Sequence, residues 1–156
     1  MSVVSANSLI NFRPMEEKDL HQVTAIEKAA YSFPWTPGIF SDCLRVGYHA
    51  RVLELEEKMI GYGIMSMAVG EAHILNVCVH PNYQCHGFGA FILNSLLDMA
   101  KQHQTETVFL EVRASNQAAV RLYDKFGFNQ IGIRRRYYPS SQQEREDALI
   151  FSLSLS

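Results

Sequence analysis

Gln84, Cys85, His86, Gly87, Phe88, Gly89 and Ala90 follow shortly after an apolar run at 74–79, and residues 90–97 beyond them carry apolar side chains at helical spacing. A strand, a glycine loop and a helix in that order gather unpaired backbone amides at a helix start. Those amides and the positive end of the helix dipole attract phosphate oxygens. Gly87 and Gly89 suit such a place, because backbone that approaches a phosphate closely, or turns with positive φ, does not tolerate a Cβ. The pattern points to a phosphorylated cofactor. A nucleotide P-loop requires a lysine directly after its last glycine, and none follows Gly89. The dinucleotide fingerprint requires a third glycine where Ile92 stands, and expects the loop after the first strand of a parallel sheet, whereas four strands precede this one. Gln84, Gly87 and Gly89 fit a third pattern best: Gln or Arg, two residues, Gly, one residue, then Gly or Ala. A tight turn that binds nothing would also satisfy the two glycines.

The elements that must position this loop read as follows. Residues 8–13 alternate as a strand that Pro14 ends. Leu20, Val23, Ile26, Ala29 and Ala30 give 16–31 helical spacing, with acidic residues in its first turn as the dipole prefers. The segment 32–37 breaks that helix, and Pro37 opens a second, short one to about Val46. Two β-rich runs in 48–69, separated by Glu56, Glu57 and Lys58, predict an antiparallel hairpin. Residues 72–80 are apolar on both faces, as in a central strand. A long helix to about Gln104 follows the glycine loop, then a strand at 107–112. Asn116 caps a helix to Lys125 with Gly127 beyond its end. Strands near 128–135 and 147–153 flank a loop at 138–143. The order β-α-α-β-β-β-α-β-α-β-β predicts one domain over 1–156, an α/β (α+β) fold on a single mixed, mostly antiparallel sheet flanked by about four helices.

Composition narrows the function classes. The chain has 156 residues, 47% hydrophobic and 19% charged, with a formal net charge of −2. That balance argues against a general attraction to nucleic acid or an anionic membrane, and Arg134-Arg135-Arg136 is too short a basic run to reverse it. Cys43, Cys78 and Cys85 are odd in number without CxxC spacing, so neither a disulfide framework nor a zinc site is expected. The six histidines are scattered, and no metal is expected. The polar start lacks a signal-peptide pattern and no apolar run approaches a membrane span, so the expected location is cytoplasmic.

Taken together, the glycine loop, the run Leu110-Glu111-Val112-Arg113-Ala114-Ser115-Asn116, then Leu122-Tyr123 and Gly127-Phe128, resemble the GNAT superfamily of N-acetyltransferases over nearly the whole chain. With the tail Arg135-Arg136-Tyr137-Tyr138-Pro139, they resemble the branch that acetylates the N-terminal alanine of ribosomal small-subunit protein eighteen. The resemblance implies acetyl-CoA as cosubstrate. Its diphosphate would lie on Cys85, His86, Gly87, Phe88, Gly89 and Ala90, its pantetheine would run along Val77, Cys78 and Val79 as an added strand would, and Asn116 would contact it. Relatives often carry Arg where Cys85 and Ala90 stand, so side-chain charge near the phosphates is reduced here.

Acetyl transfer to an amine needs a neutral amine, a donor for the tetrahedral oxyanion and a proton for the departing thiolate. A terminal α-amine, with a reference pKa of about 7.7–8.0, asks less of a base than a lysine near 10.4. Glu111 closes a predicted strand whose neighbours Leu110 and Val112 face the other way, so it belongs to the cleft side. The resemblance makes Glu111 the general base and Tyr123 the general acid; a structural glutamate and a core tyrosine are the bland alternatives. The Val77–Val79 backbone is the expected oxyanion donor. Phe33, Pro34 and Trp35 either cover the core or wall the acceptor groove, with Tyr137, Tyr138 and Pro139 as the opposite wall or an ordinary hairpin tip. Lysine side chains, polyamines or another small amine are rival acceptors, and a regulatory module that binds acetyl-CoA without turnover is a rival from another class.

Overall fold

A computed structural model describes residues 9–140 and 145–156. The chain runs through β1 (Ile10–Pro14), α1 (Leu20–Ala30), α2 (Pro37–Arg45), β2 (His49–Leu55), β3 (Lys58–Ala68), β4 (Glu71–Val79), α3 (Phe88–Gln102), β5 (Thr107–Arg113), α4 (Gln117–Lys125), β6 (Asn129–Pro139) and β7 (Arg145–Ser154). This is the expected order. All seven strands join one sheet in the order β1-β2-β3-β4-β5-β7-β6, and β4–β5 is its single parallel pair. No helix among the described residues is long and apolar enough to cross a membrane.

Element bounds depart from expectation in three instructive places. The helix expected from Glu16 begins at Leu20, after a single 3-10 turn at Glu17–Asp19. Asp19 is buried and takes both nitrogens of the Arg13 fork at 2.8 and 2.9 Å and the Glu16 amide at 2.8 Å, which tightens that turn. Helix α3 begins at Phe88, before the expected Ala90, so Gly89 lies in its first turn. Strand β6 continues past Arg135 to Pro139, where Tyr138 pairs with Glu146 and Pro139 with Arg145. Two wall residues assigned to a loop are therefore held in a sheet. Residues 141–143 of that expected loop, and Ser8 of the first strand, lie outside the described residues.

Helices pack on both faces. On one, Ile92, Leu93 and Leu96 of α3 meet Leu53, Ile60 and Leu110 of the sheet. Gly63 lets α3 settle directly on β3, since a Cβ there would stand 2.7 Å from the Ile92 Cγ2. On the other face, Val23 and Ile26 of α1 and Phe40 of α2 cover Val52, Tyr62, Ile64 and Cys78.

The feature that matters for function is a split in the middle of the sheet. Strands β4 and β5 pair only from Glu71 to Ile74 against Thr107 to Leu110, although both continue beyond. At that point β4 carries a bulge: Ile64 opposes Asn76 and Met65 opposes Ile74, so Leu75 is the extra residue. A bulge bends its strand and shifts the alternation by one. Ala72 and Ile74 face the α3 side before it, Val77 and Val79 after it, while Cys78 points into the α1 side.

Candidate active site

The split leaves an open strand edge. His80 donates to the Ile60 carbonyl at 2.8 Å and Cys78 opposes Tyr62, so the polar groups of Val77 and Val79 point away from β3, towards the gap. Two side chains occupy the carbonyls on this edge. The Tyr31 hydroxyl donates to the Val77 carbonyl at 3.1 Å, and the Gln84 amide donates to the Val79 carbonyl at 2.9 Å. The edge is thereby biased towards presenting amides, which favours a ligand carrying carbonyl acceptors.

A groove of about 800 Å³ opens along this edge, lined by Val77, Val79, Gln84, Cys85 and Gly89 on one side and Asn116, Ala119, Leu122 and Tyr123 of α4 on the other. The glycine loop closes one end. Gly87 precedes α3 with φ +87°, a left-handed conformation that favours glycine, and Cys85 adopts φ +63° beside it. A Cβ on Gly89 would meet only the tips of Leu122 and Val79, at 3.8 and 4.0 Å, and would occupy groove space. Phe88 turns its ring into the core, so it can serve a ligand only through its amide. The same holds for Cys78, whose thiol is buried and pushed up to about 12 by burial. An acyl-cysteine route through that thiol has no support. His86 donates from Nδ1 to the Gln84 carbonyl, 2.7 Å away, and stays exposed. The Asn116 side chain caps α4 by accepting from the Ala119 amide at 3.2 Å, while also lining the groove.

A second cavity of about 310 Å³ adjoins the first and shares Tyr31, Val77, Asn116 and Tyr123 with it. Its walls are Phe33 and Trp35 from the α1–α2 loop, Tyr138 and Pro139 from β6, and Glu111 and Arg113 from β5. Strand alternation turns Leu110 and Val112 into the core and Glu111 and Arg113 out, as the spacing required. The Glu111 carboxylate lies 2.9 Å from the Arg134 Nε and 3.5 Å from the His73 Nε2. The Arg134 N–H is not aimed at that oxygen, so the pair is a Coulombic contact without a directed hydrogen bond. Arg113 lies between the rings of Phe33, at 5.1 Å, and Tyr138, at 4.6 Å, and donates to the Pro139 carbonyl at 2.6 Å. It ties the two aromatic walls together across β5. Tyr123 stands where the two cavities meet, packed against Phe128 and Phe151. Burial pushes its phenol up to about 12, with Tyr138 adding to the shift, so it keeps its proton at neutral pH.

The catalytic candidates Glu111 and Tyr123 thus line one cavity, and Val77, Val79, Cys85, Gly89 and Asn116 line the groove leading to it. Cys78, His86, Gly87, Phe88 and Ala90 are not among the lining residues. Sequence reasoning missed Arg113, although its alternation with Glu111 signalled the same face. It also missed Glu27, which continues the buried stripe of α1 after Val23, and the part-buried Tyr31 that ends the helix.

A model of the acetyltransferase (GNAT) family matches residues 18–128. The chain belongs to the GNAT acetyltransferase family. Among GNAT relatives, the [ribosomal protein bS18]-alanine N-acetyltransferase of Escherichia coli K12 is 39% identical over 142 residues, covering 91% of this chain and 95% of the relative. The protein of the same description from Haemophilus influenzae is 34% identical over 141 residues, 90% and 96% of the two chains. A crystal structure of the ribosomal-protein-S18-alanine N-acetyltransferase from Escherichia coli superposes with a TM-score of 0.88 at 37% identity, covering 95% of each chain. The seven-stranded sheet with four helices is the GNAT fold, and the chain is an acetyltransferase.

Proposed function

We propose that this acetyltransferase moves the acetyl group of acetyl-CoA to the N-terminal alanine amine of ribosomal protein bS18, in the cytoplasm, by direct attack in a ternary complex. The observation that carries the reading is the placement of Glu111 and Tyr123 on one small cavity that joins the groove along the open β4 edge. The names of the Escherichia coli and Haemophilus influenzae relatives supply the acceptor.

The groove suits acetyl-CoA on its own chemistry. Amides at the start of α3, from Cys85 through Ala90, face a diphosphate with the helix dipole behind them. The Val77 and Val79 amides offer hydrogen bonds to the pantetheine carbonyls, and Asn116 adds a polar contact from α4. In the second cavity Glu111 takes a proton from the acceptor ammonium, and the neutral amine attacks the thioester carbon. The oxyanion is met by an amide of the Val77–Val79 edge. As the C–S bond breaks, the C–N bond holds and the nitrogen's second proton leaves to water, the Tyr123 phenol gives its proton to the sulfur and is reprotonated from solvent. Arg134 must swing away from Glu111 for the amine to enter, which its exposed position on β6 allows.

The test uses acetyl-CoA and a peptide with a free N-terminal alanine and one internal lysine, with product sites mapped by mass spectrometry. Acetyl on the alanine, and none when that terminus is blocked, is the expected result. Acetyl on the lysine would replace the acceptor, and acetyl-CoA binding without CoA release would mark a non-catalytic module.

A further inference from the structure

Glu27 is a titratable side chain that the chemistry above does not use, and it is 2% exposed. It stands in the last turns of α1 and its two oxygens serve different elements. Oε1 accepts from the Tyr62 hydroxyl of β3 and from the Asn76 amide of β4 at 3.0 Å. Oε2 accepts from the backbone amide of Trp35 at 2.8 Å. Burying a carboxyl group is costly unless donors surround it, and here three donors from three elements converge on it. Burial, then the neighbouring Cys78 and Glu27, holds the Tyr62 phenol far above its usual range, so that hydroxyl remains a donor.

The elements joined are the ones that shape the second cavity. Asn76 follows the Leu75 bulge where β4 leaves β5, and Trp35 sits in the loop whose Phe33 and Trp35 side chains form a wall. Four residues on, one helical turn, Tyr31 fastens the same helix to the Val77 carbonyl. The Thr36 side chain pins the far end of the loop by capping α2 through the Ile39 amide at 3.3 Å. Between these anchors, the Glu27 bond to Trp35 holds the stretch that leads into Thr36.

We propose that Glu27 is a positioning residue for the acceptor: it locks the aromatic α1–α2 loop to the split in the sheet and so sets the wall against which the incoming amine's chain lies. This rests on the second cavity being the acceptor's. Removing the lock loosens the loop without touching the groove along Val79, Gly89 and Leu122, so acceptor and acetyl-CoA kinetics separate.

Trp35 is the chain's single tryptophan, so its fluorescence reads the loop independently of any reaction. In Glu27→Ala, loss of the anchor is expected to raise acrylamide quenching of Trp35 by about two-fold. It should raise the acceptor KM about ten-fold, the loss of one charge-assisted bond, with the KM for acetyl-CoA unchanged within about two-fold. Glu27→Gln keeps one acceptor for Trp35 and can donate to Tyr62 and Asn76 after they reorient, so it should recover most of both signals. Should Glu27→Ala not fold, Tyr62→Phe carries the test: it frees Oε1 on one side and should move quenching and acceptor KM in the same direction by about three-fold. Unchanged quenching with unchanged acceptor KM overturns the proposal, as does a parallel rise in both KM values, which would make Glu27 a general scaffold residue. If the wild-type protein acetylates no alanine peptide, the proposed acceptor is wrong. The quenching comparison then decides the loop lock by itself: unchanged quenching overturns it and a rise upholds it.

Discussion

Glu111 is held between Arg134 and His73, and that setting defines what it can do. A carboxylate facing a cation through a contact without a directed hydrogen bond gives up that partner at little cost when an ammonium of better geometry arrives. In the proposed reaction its value lies in making the neutral amine available, so its loss is expected to hurt most where the amine is charged. Glu111→Gln is expected to lower kcat/KM by a factor of about 10²–10⁴ at pH 7. The deficit should narrow at pH 9, above the α-amine's reference range of about 7.7–8.0. Rate profiles of the two proteins from pH 6.5 to 9.5 check this; a constant ratio across the range would speak for a structural glutamate.

The split between β4 and β5 does for this fold what a loop does elsewhere: it exposes backbone amides on a rigid element. Gly89 shows how α3 and α4 share that work. Its Cβ would make ordinary contacts with Leu122 and Val79, so the protein alone tolerates alanine there. Gly89→Ala should leave stability unchanged or raise it by about 0.5 kcal/mol, because alanine suits a helix better than glycine. Acetyl-CoA affinity should nonetheless fall about ten-fold as the methyl fills groove space. Denaturant melts and calorimetric titration measure the two effects separately. The elements themselves were legible, since a run apolar on both faces marks 72–80 as a strand, alternation marks Leu110 and Val112 on another, and 3.6-residue spacing marks Leu20, Val23 and Ile26 on a helix. The alternation around Glu111 correctly turned it out of the core. The Leu75 bulge was not legible, because an extra strand residue has no composition signal and shows only against the partner strand. The roles of Tyr31 and Glu27 were hidden for a related reason: Tyr31 acts on Val77, and Glu27 on Tyr62 and Asn76, groups brought close by the β3–β4 pairing and the packing of α1 and not by sequence distance.

At the scale of the whole molecule, titratable groups frame a working pH range. Arg13 holds Asp19 below the usual carboxylate range, and Arg13 likewise lowers Glu54. A carboxyl whose folded value is depressed lends stability above its unfolded value and loses it as pH falls, so stability should decline below about pH 4. On the alkaline side, burial raises Tyr31, Tyr62, Tyr123 and Tyr138, the last two to about 12. A phenol whose folded value is raised favours folding fully below the ordinary value of about 10 and loses that contribution as pH climbs towards 12. Thermal melts across the pH scale should therefore show a plateau bounded on both sides, with Tyr123→Phe moderating the alkaline fall; a steady decline from neutral pH upward would not fit. The same buried phenol carries the central claim, that amine and thioester meet between Glu111 and Tyr123. Steady-state turnover of Tyr123→Phe on a peptide with a free N-terminal alanine, measured beside its dissociation constant for acetyl-CoA, tests that claim most directly. The account predicts turnover lower by about 10²-fold with affinity held within about two-fold. Turnover and affinity falling together, or neither falling, would contradict it.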